Sequence, residues 1–278
     1  MAFLARTSLL YADPVCVKGG DHAHSVGLST TSVTFCFDGQ SCYAADLSSG
    51  ALKPTGPAGK DLPLLVPAPD APHVTEGGSD ITVCHHDGSS CKKLVAKHEI
   101  DPGINFASAV NASGTLAAIA VLGGPIYVEV FDVASTNHVA TFALPRGGLC
   151  GFVNFAGDAL DVTQVDCGDG TLGKEWLYTK RGKRLAQLPF MTGGAPAHVT
   201  DNVWAFAPDD GSAIVLQDVV TGKLVKHISV GKGDPNSVAT LVGDSAHLVL
   251  VFGGARAGDI AVVDVATGRV TQFPAKRC

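Results

Sequence analysis

The segment DVVTGK at residues 218–223 recurs along this chain in three further versions, DLSSG at 46–50, DVASTN at 132–137 and DVATGR at 264–269. We call these four segments the aspartate turns. Each lies between two short runs of apolar and β-branched residues, such as 213–217 and 223–230. Gly supports the positive φ of a tight turn, and Asp and Thr side chains bond nearby backbone groups. Each segment therefore predicts a β-hairpin.

The spacing of the aspartate turns predicts a repeat. Asp46, Asp132 and Asp218 follow one another at intervals of 86 residues, and Asp264 comes 46 residues later. An interval of 86 residues holds two units of about 43, which is the length of a repeat of four short strands. Copies two and four lack the aspartate turn but keep the rhythm of strands, and no sustained period of 3.6 residues predicts a helix. The six copies span about 24–56, 72–103, 105–145, 149–190, 196–231 and 235–275.

The recurring pattern x-Asp-Val-x-Thr-Gly-x resembles the WD40 and YVTN-type β-propeller repeats. The resemblance covers nearly the whole chain, although the Trp-Asp dipeptide and the Gly-His that opens a typical WD40 repeat are both absent. It implies a ring of four-stranded blades around a central channel, a fold that commonly serves as a docking platform and implies no particular reaction.

We therefore expect an all-β chain that forms a single β-propeller over residues 1–278. Six four-stranded blades are favoured, and seven are the alternative. Residues 1–23 would supply a closing strand for the last blade or a partial blade of their own. Residues 53–72, which contain six prolines, would form a connection between two blades.

The bulk composition excludes some classes of partner. The 278 residues are 46% hydrophobic and 17% charged, with 33 Gly and 15 Pro, as many short strands with tight turns require. A net charge of −6 argues against a broad nucleic-acid interface or an anionic membrane surface. No apolar stretch approaches the length that spans a bilayer, so no membrane insertion is expected. The first 11 residues, MAFLARTSLLY, are too short and too polar at Arg6 for a signal peptide.

The eight cysteines can all be paired across predicted hairpins or between the termini. Two pairs are symmetric about the turns at 38–40 and 87–88, a third is symmetric about 158–159, and the fourth joins two residues near the chain ends. The pairs are Cys36–Cys42, Cys84–Cys91, Cys150–Cys167 and Cys16–Cys278. Disulfides would indicate a periplasmic or secreted protein, whereas reduced, buried thiols, which are the alternative, would indicate a cytoplasmic one.

No cofactor, metal or catalytic site is predicted. Cys84, His85, His86 and Cys91 contain zinc-binding residue types, but neighbouring residues of a strand point to opposite faces. Residues 168–174, GDGTLGK, approach a P-loop, yet a strand-like segment follows where a phosphate-binding helix is needed. The four turn aspartates recur because the turns need them.

Three functions remain open at this point. The first is a non-catalytic scaffold that binds protein partners through its loop face, and it needs no cofactor. The second is a propeller, either an enzyme or a binding protein, that holds a small ligand or metal at the central channel. Its site would be assembled from several blades, with His73, His198 and Asp201 the first residues to inspect. The third is an extracellular sensor domain of a larger polypeptide. The oligomeric state is not predicted.

Overall fold

A computed structural model describes the backbone in seventeen stretches and contains strands but no helix in them. The described residues are 9–11, 15–17, 23–29, 31–37, 42–49, 51–56, 73–77, 80–84, 90–98, 107–111, 113–121, 125–145, 150–165, 173–192, 194–234, 237–256 and 259–277. The prediction of an all-β chain is confirmed.

The first half of the described chain forms two short strands and three sheets. The short strands are β1 (Leu9–Tyr11) and β2 (Val15–Val17). The first sheet contains β3 (Ala23–Leu28), β4 (Ser32–Phe37), β5 (Cys42–Asp46) and β6 (Leu52–Gly56). The second contains β7 (His73–Gly77), β8 (Asp80–Cys84) and β9 (Lys92–Val95). The third contains β10 (Ala107–Val110), β11 (Leu116–Val121), β12 (Tyr127–Asp132) and β13 (His138–Ala143).

The second half forms three more sheets and a final strand. The fourth sheet contains β14 (Cys150–Ala156), β15 (Ala159–Val165), β16 (Lys174–Thr179) and β17 (Arg184–Gln187). The fifth contains β18 (Ala197–His198), β19 (Val203–Phe206), β20 (Ala213–Asp218) and β21 (Lys223–Ser229). The sixth contains β22 (Ser237–Gly243), β23 (His247–Gly254), β24 (Ile260–Asp264) and β25 (Val270–Phe273), and β26 (Ala275–Arg277) follows.

Each of the six sheets is an up-and-down meander in which strands that follow one another in sequence are neighbours. This is the blade topology of a β-propeller, and the count of six agrees with the favoured prediction. The second sheet has three strands in its described part. The predicted Pro-rich connection at 53–72 starts too early, because β6 continues to Gly56, and residues 57–72 lie outside the described ones.

Two parallel pairings depart from the meander. Strand β1 lies alongside β25, with Leu9 opposite Val270 and Tyr11 opposite Gln272, so that it forms the outer strand of the sixth sheet. Strand β2 pairs with β26 in the same parallel sense. An edge that would otherwise be unpaired in the sixth sheet is thereby covered.

The chain divides into two compact units. Unit one comprises Met1–Ala68, Gly193–Gln217 and Leu224–Cys278, and unit two comprises Pro69–Thr192 and Asp218–Lys223. The core of unit one is formed by apolar residues of the fifth and sixth sheets, including Leu216, Leu250 and Phe252. Unit two has one cluster that contains Val130, Leu160 and Trp176 and another that contains Ile81, Ile119 and Phe131. The inner strand β11 is buried on both faces, which explains its continuous apolar or small residues.

The aspartate turns have one geometry in all four places. The carboxylate accepts a hydrogen bond of 2.7 or 2.8 Å from the backbone N–H three residues later. These bonds lower the pKa of the carboxyls. The largest effects are the side-chain bond from Ser48 at Asp46 and the backbone bonds from Ser135 at Asp132 and Thr221 at Asp218. At Asp264 partial burial opposes the shift, but the bonds from Thr267 still leave its pKa lowered. The aspartates therefore act in turn formation.

In the hairpins between the third and fourth strands of the fourth, fifth and sixth sheets, a glycine packs against the outer strand of the preceding sheet. Gly182, Gly222 and Gly268 have φ values of 80°, 73° and 75°, which only Gly adopts readily. A Cβ at Gly182 would lie 2.5 Å from the Phe142 ring, and one at Gly222 would lie 2.6 Å from the Leu185 carbonyl oxygen. The glycine is thus required by the turn and also by the contact that joins consecutive sheets.

Candidate functional site

Of the three residues predicted for a channel site, His73 and His198 lie on the first strands of their sheets and Asp201 lies in a turn. His198 ends β18 and is exposed, and its ring meets the edge of the Trp204 ring at 5.2 Å between centroids. Asp201 is exposed in the turn that follows, and no hydrogen bond or ion pair joins it to His198 in the described part of the chain. The backbone of His73 pairs opposite Cys84, and its side chain lies outside the described ones.

Two of the predicted disulfides are present in the structure. Cys36 and Cys42 are directly opposed on β4 and β5, with their Cα atoms 4.1 Å apart. In the second sheet, Cys84 at the end of β8 is bonded to Cys91 just before β9, with their Cα atoms 4.0 Å apart. Because Cys84 and Cys91 are joined to each other, they are not available as the zinc ligands considered from the sequence.

The two other predicted pairs involve Cys167 and Cys278, which lie outside the described residues, so both stay predictions. The backbone register corrects one detail. The β14–β15 hairpin turns at Gly157 and Asp158, one residue earlier than predicted, so Cys150 is opposite Val165. Cys16 is opposite Lys276 in the pairing of β2 with β26.

The P-loop alternative fails in the described part of its segment. Glu175, Trp176 and Tyr178 belong to strand β16, where the phosphate-binding helix would have to begin. Asn111, which precedes β11, has a structural role. Asn111 is buried, and its Oδ1 accepts bonds from the backbone N–H groups of Thr115 and Leu116.

Glu129 forms the first polar cluster of unit two. Its side chain is fully buried on β12, between apolar neighbours. Oε2 accepts a bond of 2.8 Å from the Lys97 backbone N–H, and Oε1 accepts one of 2.9 Å from the His98 backbone N–H. Oε1 also lies 2.8 Å from His98 Nδ1, and His138 Nδ1 lies 3.4 Å from Oε2. Two backbone N–H groups and His98 Nδ1 therefore donate to the carboxylate, which can accept about four hydrogen bonds.

The two histidines of this cluster are held in defined orientations. The His98 ring stacks on Tyr127 with 3.7 Å between centroids. Its Nδ1 faces a carboxylate, so Nδ1 carries a proton, as in the carboxylate–histidine pairs of general bases. Within the described residues, however, no hydroxyl or thiol is hydrogen-bonded to this ring. His138 Nε2 lies 3.0 Å from the Val95 carbonyl oxygen. The cluster therefore ties the segment after β9 to β12 and β13.

Asp161 and Glu175 form a second cluster in unit two, on the neighbouring strands β15 and β16. Both side chains are about 1% exposed. Glu175 accepts bonds from the backbone N–H and the hydroxyl of Thr192 at 2.7 and 2.5 Å. Burial, together with the nearby charge and hydrogen bond of Glu175, raises the pKa of Asp161 well above its ordinary value. Neither Asp161 oxygen has a hydrogen-bond donor among the described residues. A proton shared between the Asp161 and Glu175 carboxyls would supply one.

Sequence reasoning missed both clusters, and the reason is physical. His98, Glu129 and His138 lie on three different strands or connections, and no spacing along the chain marks them as neighbours. Glu129 and Asp161 lie among apolar residues in their strands. A charged residue in such a surrounding is the signal in the sequence that could have identified the two clusters. In the described part of the chain, no group of three or more His, Cys, Asp or Glu side chains is arranged to hold a metal ion.

Three exposed apolar side chains lie close together in sequence on the fifth sheet. Leu224 is 61% exposed and Val225 is 55% exposed, and both belong to β21. Val220, in the aspartate turn before this strand, is 60% exposed. Strand β21 is the outer strand of its sheet. Val95 on β9 and Phe152 on β14 are also exposed, but each stands by itself in its strand.

Comparison with known proteins gives fold-level similarity at low identity. Neither a family model nor a curated protein sequence matches the chain. BamB from Moraxella catarrhalis is 16% identical with a TM-score of 0.47, over 71% of this chain and 62% of that one. Hsv2 from Kluyveromyces lactis is 13% identical with a TM-score of 0.44, over 84% and 71%. The WD40 β-propeller domain of Doa1 is 13% identical with a TM-score of 0.43, over 90% and 71%.

The assignment of a β-propeller fold rests on the strand order and registers described above. The chain spans less than two thirds of the length of the BamB chain. Among the described residues, there is no helix that is long and apolar enough to cross a membrane.

Proposed function

We propose that this protein is a non-catalytic β-propeller that binds other proteins and serves as a scaffold for assembly. The observation that carries the proposal is the pair of exposed apolar side chains, Leu224 and Val225, on the outer strand of the fifth sheet. Single exposed apolar residues are normal on a protein surface, but adjacent ones on an outer strand favour a binding surface.

The buried polar clusters support the same proposal. Glu129 is occupied by the Lys97 and His98 backbone N–H groups and by His98 Nδ1, and Glu175 is occupied by Thr192. The four turn carboxylates accept bonds from their own turns. These carboxylates have structural partners, so the proposal does not need them to react with a substrate.

The proposal is tested with the purified full-length chain carrying an affinity tag. Chemical cross-linking in an extract of the native source is followed by identification of the attached proteins by mass spectrometry. Each candidate is then purified and titrated against the chain by isothermal calorimetry, with the chemically unfolded chain as the control. We expect at least one protein to bind saturably and at a fixed stoichiometry to the folded chain alone. Failure of every purified candidate to bind would contradict a scaffold function.

A further inference from the structure

Strand β21 differs from the other outer strands that the structure describes. It has seven residues and no proline. The outer strand β6 contains Pro54, which cannot donate a backbone hydrogen bond, and β25 is covered by β1. Strands β9 and β17 have four residues each, and β13 has side chains that are half-buried up to Phe142. Short length, proline and a covering strand protect sheet edges, whereas β21 is long, free of proline and uncovered among the described residues, and its two lysines are the protective feature it has.

The side chains of β21 present apolar surface on both faces of the sheet. Leu224 and Val225 are consecutive, so they point to opposite faces, yet both are more than half exposed. A strand added beside β21 would form backbone hydrogen bonds with it and would cover both side chains. Recognition by strand addition uses this combination of backbone bonds and alternating side-chain contacts.

The charge of β21 selects the chemistry of the added strand. Lys223 and His227 are exposed on it, and the strand contains no acidic residue. Lys226 is partly buried and donates to the carbonyl oxygens of Val265 and Ala266. The Asp218 carboxylate, before the turn, is occupied by the Val220 and Thr221 backbone N–H groups. A second copy of β21 would bring like charges together, which destabilises strand pairs, whereas acidic residues would be attracted.

We propose that β21 is the docking site for an extended, acidic segment of a partner protein, which adds to the fifth sheet as a further strand. This inference rests on the proposed protein-binding function and assigns that function to one sheet edge. Apolar residues of the partner segment would alternate with polar ones and cover Leu224 and Val225. Glu or Asp side chains of the segment would lie near Lys223.

The test uses a defined probe and the full-length chain. The probe is a fluorescein-labelled nine-residue peptide in which Val and Thr alternate between two terminal Glu residues, and its twin has Lys in place of Glu. Binding is measured by fluorescence polarisation to the wild type and to the variants Leu224→Glu and Val225→Glu. The matched control is Val95→Glu, because Val95 is also 61% exposed but belongs to a four-residue strand.

We expect the acidic probe to bind the wild type about tenfold more tightly than its basic twin, and added salt to reduce that difference. Either β21 variant should weaken binding of the acidic probe by about tenfold or more, while Val95→Glu leaves it unchanged. Hydrogen exchange should slow in β21 when the probe binds. Absence of binding, or equal loss in the Val95→Glu control, would overturn the proposal.

Two further results separate this inference from the proposed function. A protein partner that binds Leu224→Glu and Val225→Glu as tightly as the wild type would leave the scaffold function standing but remove β21 as its site. A wild-type dimer in sedimentation that Val225→Glu dissociates would assign the edge to a second copy of the chain and overturn the acidic partner.

Discussion

Single residues in the hairpins between third and fourth strands have two tasks. The aspartate closes its own turn, and the glycine four residues later at Gly222 and Gly268 allows the turn to approach the preceding sheet. At the same position of the third sheet stands Thr136, which adopts a φ of 60° and is one of two described residues other than Gly with positive φ. The sequence motif thus encodes a local turn and a contact between sheets.

Replacement by Ala should lower the free energy of unfolding more at Gly222 than at Gly268. Gly222→Ala should lower the free energy of unfolding by about 2–3 kcal/mol, because positive φ is unfavourable for Ala and its Cβ would meet the Leu185 backbone. Gly268→Ala should lower it by only about 1 kcal/mol, since the nearest atom is the flexible Lys226 Nζ at 3.2 Å. Urea unfolding measures both values, and equal losses would contradict a packing role for Gly222.

Asp161 predicts how stability depends on pH. Its pKa is raised in the folded state, chiefly by burial and also by Glu175, so the folded chain binds a proton that the unfolded chain has released. Stability therefore falls as the pH rises above the ordinary Asp value of 3.8. Asp161→Asn removes this effect. Its advantage over the wild type should grow by about 1.4 kcal/mol per pH unit while Asp161 keeps its proton.

The measurement is urea unfolding of the wild type and Asp161→Asn at several pH values from about 4.5 upward, above the ordinary Asp pKa of 3.8. The turn carboxylates, whose pKa values are lowered, do not interfere, because they contribute stability that is lost only at more acidic pH. A constant difference between the two proteins across this range would show that Asp161 is not protonated in the folded state.

Whole elements are joined by buried carboxylates as well as by apolar packing. Glu129 on β12 receives backbone N–H groups from the segment after β9, so it links the second sheet to the third. The rhythm of strands predicted repeat copies at about 72–103 and 105–145, where these two sheets are found, because strand patterning is a local signal. It could not predict the Glu129 link, since Lys97 and Glu129 are 32 residues apart and belong to different repeats.

Removing the Glu129 charge should destabilise the protein. In Glu129→Gln one oxygen is replaced by an NH₂ group, so that either the Lys97 or the His98 backbone N–H loses its acceptor. We expect a loss of about 2–4 kcal/mol in the free energy of unfolding, measured in urea at neutral pH. Asp161→Asn is the matched control, because it makes the same chemical change at a buried site and should have the opposite sign. A loss below about 0.5 kcal/mol would contradict the role of Glu129 as a link.

At the scale of the whole molecule, the repeat spacing predicted six sheets and their order along the chain. The spacing succeeded because each sheet is a meander of consecutive strands, so its hydrogen bonds join segments that are close in sequence. The pairing of β1 with β25 joins the two ends of the chain and rests on three residues from each. Such a short segment carries too little pattern to select its partner. The sequence therefore predicts residues 1–23 equally as a closing strand for the last blade or as a partial blade.

Deletion of residues 1–12 tests the pairing of β1 and leaves β2 and Cys16 in place. Each ladder hydrogen bond contributes about 1 kcal/mol, so we expect a loss of about 3 kcal/mol and a melting temperature lower by about 6–12 °C. The uncovered edge of β25 should also promote self-association. Deletion of residues 1–8 keeps β1 and is the control. Equal melting temperatures for the two deletions would show that β1 does not stabilise the sixth sheet.

The central claim is that six meander sheets follow one another along the chain. Strand β1 completes the sixth sheet, and β21 is the outer strand of the fifth. Interstrand nuclear Overhauser effects between backbone protons, recorded on the deuterated full-length chain, test it most directly. We predict contacts that link Leu10 with Thr271 in parallel register, contacts from β21 to β20 only, and fast exchange of alternate amides along β21. Contacts from β21 to a further strand, or from β1 to any strand other than β25, would contradict the account.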